Sequence, residues 1–312
     1  MSAAITGLGT AIPERIITNA DLEAYLDTSD EWIVERTGIR ERRQAGPNDT
    51  TASLAIAAGA AAIKDAGLVP DDIGLLIVAT ATPDQALPAV SAFVQDGLGL
   101  HCGAFDVSAA CSGFAYGLVT ASSLLAGGTI KSALVIGAET LTRFIDPNDR
   151  STRVLFGDGA GAVVVQPAPD GMGLLGWDLG CDGSATHILQ IPPGKKWVEM
   201  DGREVFRRAV RAVVDTSART LERSGLTAAD IDWFVPHQAN QRIIDAACDR
   251  LHIPAERTIV NVDRFGNTSA ASIPLALADT PVKDGDVVLL AGFGAGMTWA
   301  SAAIRWQKEA QS

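Results

Sequence analysis

The chain has 312 residues, 47% hydrophobic and 20% charged, a globular composition that excludes a disordered or fibrous protein. At roughly 150 residues per domain, this length allows about two domains or one large duplicated unit. With 25 Lys and Arg against 37 Asp and Glu, the net charge is −12 and the pI near 4.7, which argues against nucleic acid or an anionic membrane as the main partner.

The first residues lack the basic segment and long apolar core of a signal peptide. Four cysteines, Cys102, Cys111, Cys181 and Cys248, have neither CxxC spacing nor the density of a disulfide framework, and with four histidines they argue against zinc. The expectation is a reduced, cytoplasmic protein. Gly7-Leu8-Gly9 has no third glycine and opens no helix, so it is not a dinucleotide fingerprint. A helix follows over 51–66, Gly67 ends it, and an Asp-containing turn leads into a strand, Leu75–Thr80. Next come an extended stretch, a small-residue helix over Cys111–Leu125 and a strand, Ala133–Gly137. The uncharged run Val107–Ile130 is long enough to span a bilayer, but its Ser, Thr and Gly content suits a buried core helix better. Gly157-Asp158-Gly159-Ala160-Gly161 precedes a strand rather than a helix, so it reads as a tight turn with close packing and not a phosphate loop. The first half ends near Val165–Gln166, with 167–171 as connector.

The second half repeats the first. Gly67, Asp72 and Ile73 recur as Gly225, Asp230 and Ile231, each 158 positions later. A helix (Glu204–Ser224), a strand (Trp233–Pro236), a small-residue helix (Thr268–Ala278) and a strand (Val287–Gly292) follow in the same order. Gly292-Phe293-Gly294-Ala295-Gly296 joins two C-terminal strands and offers spare backbone amides. Strands alternating with helices predict α/β sheets covered by helices. Two such units, 1–166 and 167–312, form a pseudo-symmetric body with its chemistry where the halves meet.

Three residues of that seam carry chemistry. Cys111 lies at the start of a helix, where free N–H groups and the dipole favour a thiolate and could hold an oxyanion; a buried structural cysteine is the alternative. His237 follows the second-copy strand, at the sheet rim where ligand sites gather, although a lone histidine is often only packed. Asn267 occupies the repeat position close to Cys111, where capping the next helix would by itself explain it. The symmetry brings Cys, His and an amide together, an acyl-transfer constellation.

At these residues the chain resembles the β-ketoacyl-[acyl carrier protein] synthase III family. The resemblance rests on Ser-Ala-Ala-Cys-Ser-Gly-Phe (108–114), Pro-His-Gln-Ala-Asn (236–240), Gly-Asn-Thr-Ser-Ala-Ala-Ser (266–272) and the run 28–43, and it extends over essentially the whole chain. It implies the thiolase-like five-layered αβαβα fold, whose duplication matches the repeat. It also implies a two-stage reaction, in which Cys111 takes an acyl group from acyl-CoA and malonyl-[acyl carrier protein] then loses CO2 and attacks the acyl-cysteine. By the same resemblance His237 and Asn267 would donate hydrogen bonds to the malonyl thioester oxygen, with the amides of Cys111 and Ala295 holding the acyl oxyanion.

The family's other contacts carry over residue by residue. Trp32 and Arg36 would clamp the adenine of CoA, with Thr28 beside it and Arg150 at the nucleotide end, and Asn240 would touch the pantetheine arm. Leu87, presented by the partner subunit, and Phe293 would border the acyl pocket. Arg207, Arg211 and Arg242, with Arg203 on the same helix face, would dock the acidic carrier protein. Ala295 stands where some members carry Gly, a change that keeps the backbone donor. The resemblance implies a homodimer, no cofactor (acyl-CoA is a substrate), and neither a nucleic-acid nor a membrane partner. Two other roles compete with initiation of fatty-acid synthesis: priming or acyl transfer in a polyketide or other secondary-metabolite pathway, and a non-catalytic partner subunit, which would ordinarily lack the cysteine.

Overall fold

The computed structural model describes residues 2–307. In the first half, β1 (Ser2–Ala11), α1 (Thr51–Asp65), β2 (Leu75–Ala79), β3 (Gly103–Val107), α2 (Gly113–Ala126), β4 (Ala133–Glu139) and β5 (Gly159–Ala168) build a sheet of order β1-β5-β4-β2-β3. In the second, β6 (Gly173–Cys181), α3 (Gly202–Ser224), β7 (Trp233–Pro236), α4 (Gln241–Leu251), α5 (Ser272–Ala278), β8 (Val287–Gly294) and β9 (Thr298–Arg305) build a sheet of order β7-β8-β9-β6. The pairing directions repeat too, with β2/β4 and β7/β8 parallel and β4/β5 and β8/β9 antiparallel.

Side-chain alternation along the strands sorts the core into layers. Ile77, Val135 and Val163 of the first sheet and Val235, Val288 and Leu290 of the second face each other across Phe114 and Leu118 of α2 and Ile273 and Leu277 of α5. The opposite faces, with Leu76, Val78 and Ile136 in the first sheet and Phe234, Leu289 and Ala303 in the second, are covered by α1 and by α3 with α4 respectively. The result is five layers, αβαβα, with both faces of each sheet covered except along the edge strand β3, which is why the central strands read as near-continuous apolar runs.

The repeat is visible in its turns. Gly67 and Gly225 both stop a helix in the left-handed region, at φ +68° and +65°. The amides that follow, Leu68 and Leu226, bond back to Ile63 and Leu221 at 3.1 and 2.9 Å. Asp72 and Asp230 then accept from the Val69 and Thr227 amides at 2.9 and 2.8 Å.

Several sequence boundaries shift. β5 runs on to Ala168, paired with Ser2, so the halves join at the turn 169–172 and not at 167. The halves also share the central core layer. Gly159–Gly161 lie inside β5 rather than in a turn, because Asp158 fixes the strand's start by accepting from Ala45 and Thr142 amides, both at 2.8 Å. The helices expected at Cys111 and Thr268 each begin with a 3₁₀ turn, 110–112 and 269–271, before α2 and α5. No helix among the described residues is long and apolar enough to cross a membrane.

Candidate active site

Cys111 sits in the 110–112 turn between β3 and α2 and is buried. Its amide belongs to the first turn of a helical segment, where N–H groups lack an intrahelical partner. The turn is forced by Ala110, which adopts φ +47°, and the same feature recurs at Ser269 with φ +49°. Gly294 approaches from β8: a Cβ there would lie 2.6 Å from the Cys111 nitrogen. The amide of the next residue, Ala295, opens the short 3₁₀ turn into β9.

A cavity of about 470 Å³ opens over Cys111, and its wall includes Ala81, Leu141, Phe156, Leu189, Ile191, Val198, Ser269, Ala295 and Thr298. Most of these are apolar, so the space suits an acyl chain. The thiol is not activated in the way its helix-start position suggests. Burial pushes it up to about 12; the Ser269 hydroxyl lowers it and the nearby Glu139 carboxylate raises it.

His237 follows β7 and is anchored by its amide to Ala291 at 2.7 Å. Its ring packs edge-on against Phe293, with centroids 5.3 Å apart. Nδ1 lies 2.5 Å from the Ser272 hydroxyl, while Nε2 is buried with no protein partner. Burial lowers the imidazole to about 3, so the ring is neutral. Gly292 ties His237 to Cys111, since a Cβ there would stand 3.5 Å from the Cys111 carbonyl and 3.6 Å from His237 Cβ.

Asn267 is held by its backbone, its N–H donating to Leu155 and its carbonyl accepting from Gly157, at 2.8 and 3.0 Å. Its Oδ1 accepts from the Ser269 amide at 2.8 Å. The capping role is therefore real, and it leaves the Nδ2 hydrogens for another acceptor. Cys111, Ser269 and Ala295 form the cavity wall; His237 and Asn267 lie outside it.

The other expected contacts divide. Trp32, on the helix Asp30–Thr37, has Arg150 at 4.7 Å and Arg36 at 5.5 Å from its ring centroid, and the Thr28 hydroxyl is buried without a partner. Asn240 has both ends of its amide occupied: Oδ1 caps α4 through the Arg242 amide at 2.9 Å, and Nδ2 donates to the Arg36 carbonyl at 3.0 Å. Phe293 does not border the cavity, because it points to the face of β8 opposite Gly292 and Gly294; its contact is with His237. Leu87 is 85% exposed and is also absent from this cavity's wall. Arg207 and Arg211 pair with Glu204 and Asp215 along α3, and Arg242 lies over Phe206, so the three stand on neighbouring surfaces of α3 and α4. Sequence reasoning passed over Glu139, Ser269 and the apolar residues of the wall; the one signal for Glu139 is an ionisable residue closing an otherwise apolar strand.

Comparison with known proteins identifies the family. Residues 105–183 match the model for 3-oxoacyl-[acyl-carrier-protein] synthase III, and residues 221–306 match that for its C-terminal part. The β-ketoacyl-[acyl-carrier-protein] synthase III of Listeria monocytogenes is 50% identical over 99% of this chain and 100% of its own length. The 3-oxoacyl-(acyl carrier protein) synthase III structure from Pseudomonas aeruginosa shares 45% identity and a TM-score of 0.95, covering 100% of both chains. The structure of a priming β-ketosynthase from a polyketide pathway shares 38% identity and a TM-score of 0.93, covering 98% of this chain and 96% of that one. By this extent of similarity, the chain belongs to the 3-oxoacyl-[acyl-carrier-protein] synthase III family.

Proposed function

We propose that this chain is the condensing enzyme that initiates fatty-acid synthesis, transferring an acyl group from acyl-CoA to Cys111 and joining it to malonyl-[acyl carrier protein] with loss of CO2. The observation that carries the assignment of roles is the buried, partnerless Nε2 of His237 beside the Cys111 turn. A buried polar atom without a partner is costly unless the site is made for an acceptor that arrives with the substrate. With Ser272 donating to Nδ1, the neutral ring carries its hydrogen on Nε2 and donates to the enolate oxygen formed on decarboxylation, together with Asn267 Nδ2. The amides of Cys111 and Ala295 hold the oxyanion of the acyl-transfer step. Trp32, Arg36, Arg150 and Thr28 receive the nucleotide end of CoA, and Asn240 serves by setting the start of α4 against Arg36. Arg207, Arg211 and Arg242 steer the acidic carrier protein against a body of net charge −12.

The protein acts as a homodimer. β3 is an edge strand whose Gly103, Ala104 and Phe105 are exposed, with exposed Phe93 and Leu87 nearby in sequence, and a second copy would cover that edge. Leu87 then closes the partner's acyl pocket. No cofactor is needed, and the reaction belongs to the cytoplasm, with its acyl-CoA. The likeness to a polyketide priming ketosynthase favours a second reading, in which the same chemistry primes a polyketide.

Intact-protein mass after mixing with straight-chain, branched and aromatic acyl-CoAs tests the assignment. One acyl adduct, absent in Cys111→Ala, is expected, and its mass names the starter; an aromatic starter taken alone would move the polyketide reading ahead. An adduct persisting in Cys111→Ala would refute the nucleophile.

A further inference from the structure

Glu139 ends β4 fully buried, in a shell of uncharged hydrogen-bond donors. Its Oε1 accepts from the Ser269 hydroxyl at 2.9 Å and from the Ala81 and Ala270 amides at 3.1 and 3.4 Å. Its Oε2 accepts from the Thr80 and Thr82 hydroxyls at 3.2 and 2.5 Å. A protonated carboxyl would have to set its own hydrogen against one of these donors, so the shell favours the anion. Burial raises the carboxyl, which makes it a better base than an exposed glutamate.

The pseudo-twofold locates this group with respect to the chemistry. Superposing the halves by strand register and turn matches Glu139 to Gly294, Ala270 to Cys111 and Ala79 to His237. In one half Gly294 leaves the Cys111 amide open to a substrate oxygen; in the other a carboxylate faces the equivalent Ala270 amide.

Ser269 stands between the carboxylate and the nucleophile. It shares the cavity wall with Cys111, its turn packs against the 110–112 turn, its hydroxyl favours the Cys111 thiolate, and it donates to Glu139. It does so from a left-handed backbone, φ +49°, that glycine would adopt without strain, so the position retains a side chain against its backbone preference. Acyl transfer requires the Cys111 proton to leave the sulfur. His237 is a poor acceptor, being strongly resistant to protonation and tied through Nδ1 to Ser272.

We propose that Glu139 is the acceptor of the Cys111 proton, reached through the Ser269 hydroxyl. As the sulfur attacks the acyl-CoA carbonyl, its proton passes to Ser269 Oγ while the hydrogen already on Ser269 moves to Glu139 Oε1. Collapse of the tetrahedral intermediate breaks the bond to the CoA sulfur, and the departing thiolate recovers the proton from Glu139 by the same hydroxyl. The products are acyl-Cys111 and CoA thiol, with the carboxylate restored. Ser269 is thus a catalytic residue and Glu139 acts through it. The inference rests on Cys111 being the acylated nucleophile.

The test follows the rate of Cys111 acylation by acetyl-CoA and isobutyryl-CoA, by intact mass, from neutral to alkaline pH. Ser269→Gly suits the local backbone and leaves Glu139 its other donors; it is expected to acylate roughly 10²-fold more slowly than wild type near neutrality. Its deficit should shrink as pH rises, because hydroxide then takes the thiol proton. Glu139→Gln should show the same deficit, and the double variant should be no slower than either single one, as for groups that act as a unit. A purely structural role would give a deficit independent of pH. That result, or a Ser269→Gly rate within about threefold of wild type where about 10²-fold is expected, would overturn the relay. Absence of any adduct at Cys111 in wild type would instead overturn the nucleophile assignment, and the relay with it.

Discussion

Replacing Gly294 with alanine isolates the approach of β8 to the nucleophile. Gly294 has extended backbone, φ −155° and ψ −179°, which any residue adopts, so the substitution introduces no backbone strain. Its whole effect comes from the added methyl, which would meet the Cys111 nitrogen at 2.6 Å, Ala110 Cβ at 3.0 Å and Thr298 Oγ1 at 3.2 Å. Restoring ordinary contact near 3.5 Å requires about 1 Å of movement, and the atom that must move is the backbone amide of the nucleophile itself. A misplacement of that size costs about 10²-fold, and loss of one oxyanion donor about 10²–10³-fold. Acylation of Cys111 should therefore fall by at least about 10²-fold, with a stability loss of about 1–3 kcal/mol from overpacking. Gly292→Ala is the matched control, because its methyl meets nothing closer than Ile273 Cδ1 at 3.3 Å, the end of a flexible side chain. Adduct formation by intact mass and thermal unfolding measure both effects. Wild-type acylation by Gly294→Ala, or an equal loss in Gly292→Ala, would refute the reasoning.

His237→Ala and Asn267→Ala should each keep Cys111 acylation while CO2 release from the malonyl thioester drops roughly 10²–10³-fold, as expected for loss of one donor to a developing oxyanion; normal condensation by Asn267→Ala would remove that residue from the site. His237 also predicts a pH dependence of stability. Burial depresses the folded imidazole to about 3 from an ordinary 6.5, so the unfolded chain takes up the proton first as pH falls. The stability this neutral histidine contributes is fully present above 6.5 and is lost progressively as pH falls from there through about 3. Melting temperatures of wild type and His237→Gln across that window should converge toward acid pH, and parallel slopes would contradict the assignment.

What was legible in the sequence is what local chemistry dictates. Gly67 and Gly225 announce the repeat because a helix stop in the left-handed region selects glycine, and Asp72 and Asp230 because a capped turn selects a short carboxylate. Cys111, His237 and Asn267 stand out in the sequence because each lies at a sheet rim or helix start that the internal repeat predicts. For Phe293, placed by the resemblance alone, only the packed sheet fixes which of Gly292, Phe293 and Gly294 turns toward Cys111, and there Phe293 packs against His237. Glu139 was passed over for a different reason: its donors are 58 and 130 residues away in sequence, at Ala81 and Ser269, and its one local signal, an ionisable residue closing an apolar strand, equally fits a solvated strand end.

That last contrast explains how a duplicated frame yields one active site and not two. Both halves present a strained turn against the end of a central strand: Ala110-Cys111-Ser112 against Gly294, and Ser269-Ala270-Ala271 against Glu139. In the first pair the strand end is bare, so the turn's amide stays open and the side chain following it can be a nucleophile. In the second the strand end carries a carboxylate, which occupies the amide and leaves that turn nothing to offer an oxyanion. The carboxylate that fills the second copy's amide is the proton acceptor proposed for the first. The two copies thus differ by unlike residues at equivalent positions, His237 against Ala79 and Glu139 against Gly294, and exchanging the pair Glu139→Gly with Gly294→Glu should place the anion on the Cys111 amide and abolish acylation outright, as intact mass after mixing with acyl-CoA would show.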